Sequence, residues 1–123
     1  GIMLIGEPYW RRLPATDEVA RACGASSIAD FLTLPDLVAS FDQQGYDLVE
    51  MVLADQEGWD RYEAAKWMTL RRWLEQHPDD DFAQEVRAEL KSAPERHVTY
   101  TREYLGWGVF AVPPKGETGS HRV

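Results

Sequence analysis

Three short apolar runs, widely separated and divided by helical stretches, constrain this chain more than any other feature. They lie at residues 2–6, 47–53 and 107–112, within "GIMLIG", "GYDLVEMVLAD" and "WGVFAV". Each has strand length, and the continuous apolar character suits strands covered on both faces. Reading the intervening segments as helices gives the order β, α, α, β, α, α, α, β, which is the signature of an α/β fold. Three strands make a thin sheet, and both faces of the first look buried.

The helices are marked by spacing and punctuation. In "DEVARACG", Val19, Ala22 and Cys23 share one face and Gly24 stops the helix. Thr33 or Leu34 caps the next, Pro35 stands in its first turn, and Gly45 ends it. Leu37, Val38 and Phe41 line its apolar side. A helix, a Gly and an apolar strand in that order form the back half of a βαβ unit. The longest helical signal is "EGWDRYEAAKWMTLRRWLEQHP", predicted at residues 57–77 with Pro78 as its stop. At 100° per residue, Trp59, Tyr62, Leu70, Trp73 and Leu74 fall on one arc, with Trp67 at its margin. Asp79 to Asp81 begin another helix with Phe82, Val86 and Leu90 at i, i+4, and Pro94 starts a further turn or two. Residues 113–123 hold nothing that packs and are expected to be a mobile tail.

Composition narrows the function classes. One domain is expected for 123 residues, and 44% hydrophobic residues with five Trp supply a core. A net charge of −8 disfavours nucleic acid and anionic membrane surfaces, which need a basic face. The single Cys23 forms no internal disulfide and fits a reducing, cytoplasmic setting. No apolar run approaches transmembrane length, and no membrane partner is expected. His77, His97 and His121 lack ligand spacing, so no metal site is expected.

Two stretches, "LIGEPYW" near the start and "YLGWGVFAV" near the end, carry a resemblance, reinforced by "GYDLVEMVLAD" and the aromatic helix after it. In this order they resemble the C-terminal half of small-molecule class I S-adenosylmethionine-dependent methyltransferases, over residues 2–112. That family's sheet order is 3-2-1-4-5-7-6, with strand seven antiparallel. The resemblance implies that residues 2–6, 47–53 and 107–112 are strands five, six and seven of a partial Rossmann-like sheet. Helices at 57–104 are then an insertion. It also implies that strands one to four, which carry the S-adenosylmethionine site, belong before Gly1. The Gly-rich turn after strand one and the acidic residue ending strand two have no match in this chain. Gly106 and Gly108 do not lie between a strand and a helix, so no cofactor-binding residue carries over.

Candidate site residues follow from position. "GEPYW" lies at the C-terminal end of the first strand, the edge where ligands bind in open α/β sheets. Glu7 there is the one carboxylate placed to accept a proton, and Tyr9 and Trp10 can wall a small-molecule substrate pocket. Equally, Pro8 can stiffen a turn while the aromatics cap the core. On the long helix, Glu63 and Lys66 fall inside the aromatic arc between Trp59, Tyr62 and Leu70, spaced to pair at i, i+3. A charged pair there marks a face meeting a polar substrate, or a half-exposed pair with its Lys stem along an aromatic face.

Two functions are consistent with these features. The first is the substrate-side wall and lid of a methyltransferase, inactive without its N-terminal half. The second is a non-enzymatic binding or assembly module using the Trp-rich helix face. If strand seven lies between five and six, strand five keeps a bare edge carrying Ile2, Met3, Leu4 and Ile5. Such an edge invites pairing, so a homodimer is expected.

Overall fold

A computed structural model describes residues 1–116 of the chain. It is an α/β structure with one three-stranded sheet of β1 (Met3–Trp10), β2 (Glu50–Leu53) and β3 (Leu105–Val112), in the order β1-β3-β2. β3 is antiparallel to both neighbours: Met3 faces Val112 and Trp10 faces Leu105 along one side, Glu50 faces Ala111 and Leu53 faces Gly108 along the other. The last strand in sequence is thus central, as the resemblance implies.

Alternation along the strands sends neighbouring residues to opposite faces. Tyr9 joins Phe110 and Val112 on one face, where α2 (Leu34–Gln43) lays Leu37 and Phe41 over them. Trp10 and Leu105 point the other way and pack with Ala20, Cys23 and Ala25 at and after α1 (Asp17–Ala22). Thr16 caps α1 and Thr33 caps α2, accepting from the N–H groups of Val19 and Asp36. Gly24 and Gly45 follow these helices with φ of 93° and 92°, a conformation that favours glycine.

The long helix α3 (Gln56–Gln76) is capped by Asp55, which accepts from Gly58 N–H at 2.7 Å. It packs against α4 (Ala83–Arg96), which leads into a π-helical turn (His97–Thr101) and the single turn α5 (Arg102–Tyr104). Among the described residues no helix is long and apolar enough to cross a membrane.

Several boundaries differ from expectation for identifiable reasons. β1 does not end at Gly6; its ladder with β3 continues through Glu7, Pro8, Tyr9 and Trp10. Pro8 is tolerated because β1 has a strand partner on only one side among the described residues. The faces of β1 are not both buried at its start, since Met3 and Leu4 are exposed. β2 is regular only over four residues, although Val49 and Asp47 N–H groups still donate to Ala111 and Pro113. Residues 79–81 form turns, and α4 begins at Ala83. Pro94 starts no new helix; it lies inside α4, removes one donor from its last turn, and precedes the widened π turn. The expected tail is docked at its beginning. Lys115 N–H donates to Gly45 at 2.8 Å, and its ammonium bridges Asp42 and Asp47, each at 2.8 Å. The rest of that segment, 117–123, lies outside the described residues.

Candidate functional site

α3 carries Trp59, Tyr62, Glu63, Lys66, Trp67 and Leu70 at helical spacing on one side, and all six line a single cavity of about 580 Å³. Across from them stand Glu89, Ala93 and Arg96 of α4, Cys23 after α1, and Leu105 and Trp107 of β3. The volume lies in the range typical of small-molecule sites. Four of the residues expected to touch substrate, Trp59, Tyr62, Glu63 and Lys66, are therefore brought together.

Their geometry is ordered. The Trp59 and Tyr62 rings stack with centroids 5.9 Å apart and planes 2° from parallel. Lys66 Nζ lies 4.6 Å from the Tyr62 ring centroid and 3.1 Å from Glu63 Oε2. The two charges differ in environment: the Glu63 side chain is 17% exposed and that of Lys66 55%. On the opposite wall Arg96 and Glu89 pair with each other, both about half exposed. The cavity walls thus carry two acids and two bases, each paired.

A smaller cavity of about 200 Å³ adjoins the first, sharing Ala54, Trp59, Leu105 and Trp107. Tyr9 lines it beside Arg11 and Gln56. Tyr9 reaches there because Gly106 has no side chain in its way. Burial pushes its hydroxyl pKa up, opposed in part by the nearby Arg11 charge. Gly6 plays the matching part on the opposite face. A Cβ at Gly6 would lie 2.5 Å from the Trp107 ring, so the close approach of that indole requires glycine.

Two expected residues lie elsewhere. Glu7 sits within the β1–β3 ladder opposite Gly108 and lines neither cavity. It was expected in a loop at the strand end, and the continued ladder places it three residues before that end. Trp10 is 1% exposed, donates its indole N–H to Ile28 C=O at 2.9 Å and meets Phe31 edge-on. It is a core residue.

The sequence reading missed His97. It is 2% exposed, and its Nε2 lies 2.7 Å from Asp60 Oδ1. Arg102 Nε donates to the same oxygen at 3.0 Å. The hydrogen bond from His97, and next that from Arg102, hold the Asp60 carboxyl below its ordinary pKa. The His97 ring also meets Trp67 edge-on at 5.9 Å, supporting a wall of the larger cavity. The indole N–H groups of Trp59 and Trp67 have no acceptor among the described residues. Cys23 is the remaining reactive group, and burial pushes its thiol up to about 11, leaving it protonated and a poor nucleophile near neutrality. Among the described residues no three His, Cys, Asp or Glu side chains converge on a metal position.

The described glycines do not form a cofactor cradle. Side chains of Trp107, Tyr9 and Leu53 occupy the space beside Gly6, Gly106 and Gly108, while Gly24, Gly45 and Gly116 make turns. S-adenosylmethionine has no matching glycine loop among these residues.

No family model matches the chain. It is 77% identical over 112 residues to the uncharacterized protein YjhP of Escherichia coli (strain K12), an alignment covering 91% of this chain and 45% of that protein. The X-ray structure of E. coli YjhP aligns with a TM-score of 0.89 at 75% identity, over 94% of this chain and 50% of that one. A SAM-dependent methyltransferase from Geobacter sulfurreducens, solved with S-adenosyl-L-homocysteine, aligns with a TM-score of 0.90 at 69% identity. A second such enzyme from Thiobacillus denitrificans, also with S-adenosyl-L-homocysteine, aligns with a TM-score of 0.90 at 64% identity. Each of these alignments covers 94% of this chain and 46% of the enzyme. The chain spans about half the length of the relatives it matches. At this identity over nearly all of its own length, the chain is related to the SAM-dependent methyltransferases.

Proposed function

We propose that this chain supplies the acceptor-substrate side of a methyltransferase: one wall of the site from β1 and β3, and a lid from α3 and α4. The observation that carries the reading is the cavity gathering Trp59, Tyr62, Glu63 and Lys66 between that lid and the sheet. The antiparallel central strand and the likeness to two enzymes solved with S-adenosyl-L-homocysteine support it further. In this reading the reaction moves a methyl group from S-adenosylmethionine to an O, N or C acceptor in a small molecule. The cofactor is held by a complementary N-terminal half of the domain. The residues here contribute acceptor placement and exclusion of water, which govern much of such a displacement. Alone, the chain is inactive. A lone reduced cysteine fits action in the cytoplasm.

Calorimetry with S-adenosylmethionine tests the division of labour. The 123-residue chain should bind none, and mixing it with the part of E. coli YjhP outside the matched residues should restore binding. One-to-one binding by the chain alone would overturn the reading, and an apolar-ligand module would replace it if methyl transfer also failed in the mixture.

For the chain without that complementary half, the same reading includes a homodimer through the outer edge of β1, the edge that strand four would otherwise take. Ile2, Met3 and Leu4 are exposed there, at 64%, 44% and 69%, beside a strand paired on one side among the described residues. Sedimentation at micromolar concentration should show a dimer that Met3→Lys weakens. A monomer, or a dimer indifferent to that change, removes the β1 edge from the account.

A further inference from the structure

We infer that the larger cavity selects ligands bearing a protonated amine on a compact apolar or aromatic body. Glu63, Tyr62 and Trp59 form the corner that holds the ammonium. The inference rests on the reading of this cavity as the acceptor-substrate pocket and specifies what enters it.

The chain's own Lys66 occupies that corner and reveals its preference. Its ammonium has a carboxylate oxygen at 3.1 Å and an aromatic face at 4.6 Å, with the second ring of the stack behind. A carboxylate and a ring face are the two groups that replace water around an ammonium. The rest of the lining, including Trp67, Leu70 and Trp107, offers apolar walls for the body of a ligand.

The unequal burial of the pair decides the sign of the ligand charge. To receive an anion, Lys66 must turn away from Glu63, leaving a carboxylate that is 17% exposed without a cation. An unpaired, largely desolvated charge is costly. To receive a cation, Lys66 moves into water, where a side chain already 55% exposed is readily hydrated, and the incoming ammonium takes its place. The other acid of the cavity, Glu89, is held by Arg96, and both are more exposed than Glu63. Glu63 is thus the acid that most needs a counter-charge. The net charge of −8 also raises the concentration of small cations near the surface.

Three probes of one shape and different charge test this on the intact chain: phenethylamine, 2-phenylethanol and 3-phenylpropionate. Binding is followed by calorimetry and by quenching of tryptophan fluorescence, in the absence of S-adenosylmethionine. The amine should bind at least about tenfold more tightly than the alcohol, with the acid weakest. Glu63→Gln should abolish the preference for the amine while changing alcohol affinity less than about twofold. Lys66→Met removes the resident ammonium and should tighten amine binding severalfold. Equal binding of the three, preference for the acid, weaker amine binding by Lys66→Met, or no binding at millimolar concentration each overturns the inference. If a variant fails to fold, discrimination among the probes by the unaltered chain still decides. Amines that bind but are never methylated in the reconstituted mixture defeat the methyltransferase reading and leave this one standing. Methylation confined to uncharged acceptors does the reverse.

Discussion

The sheet and its two flanking helices are built differently from the helical insertion α3–α4. In the first region Phe110 and Val112 are fully buried among Tyr9, Leu37 and Phe41, and Trp10 is fully buried among Ala20, Cys23 and Leu105 on the other face. In the second, 21 residues of α3 contribute one buried side chain, Leu74, and the 14 of α4 contribute none. The insertion is tied down by polar links instead. His97 and Arg102 meet on Asp60, and Gln56 Nε2 donates to Arg102 C=O at 3.0 Å. The sheet region is held by these buried apolar clusters. The insertion touches the core through Trp59, while Tyr62, Trp67 and Leu70 line the cavity left beside it. Regions with few buried apolar contacts sit at the low-stability end of a fold, where ligand-gating elements are found.

The largest effect should come from the sheet region. Phe110→Ala should cost about 3–5 kcal/mol, seen as a large drop in melting temperature. A loss below about 1 kcal/mol would make the two regions equivalent and break the contrast.

His97→Ala comes next, at about 1–3 kcal/mol, because a buried hydrogen-bonded ring is lost. Hydrogen exchange should quicken in α3 and α4 and stay slow in β3. Uniform acceleration across both regions would show that the insertion has no independent weakness.

Acid should act on the insertion in the same way. The Asp60 pKa is depressed below its ordinary 3.8 in the folded chain, so the unfolded chain binds the proton more readily. The contribution is present above 3.8 and is lost as pH falls through the lower folded value. Protection of α3 should decline in that range, and Asp60→Asn should remove this part of the pH dependence. An unchanged profile in the variant would assign the acid sensitivity to other carboxylates.

Glu63→Gln should move stability least, by about 0.2–1 kcal/mol, as it removes the shielded charge and leaves a Lys66 that is 55% exposed and readily hydrated. Its effect on amine binding should be much larger, and the contrast between the two readouts sharpens the view of this pair as functional.

The legible parts of this structure were those governed by local periodicity. The arc Trp59, Tyr62, Glu63, Lys66 is set by 3.6 residues per turn, so its convergence on a cavity could be anticipated. The central place of β3 followed from a resemblance and not from the residues alone. The end of β1 was hidden because Gly6 and Pro8 are breakers when read locally, whereas here the ladder with β3 overrides them. Pro94 misled for the same reason, being held inside α4. The His97–Asp60 pair joins positions 37 residues apart, and no spacing rule connects them. Cys23 reached the cavity wall only through the packing of α1 against β3.

The indole of Trp107 leans over Gly6 and forms part of both cavities. A residue that meets no ligand therefore acts as a gauge for the chamber beyond it. One methyl group at Gly6 is enough to tilt the indole and recut both compartments. The repertoire of accepted molecules can thus be retuned from β1, beneath the indole, without altering any wall residue. Gly6→Ala should change the ranking of bulky against slender amines more than it changes affinity for the smallest. An unaltered ranking would mean that Trp107 has another way to yield.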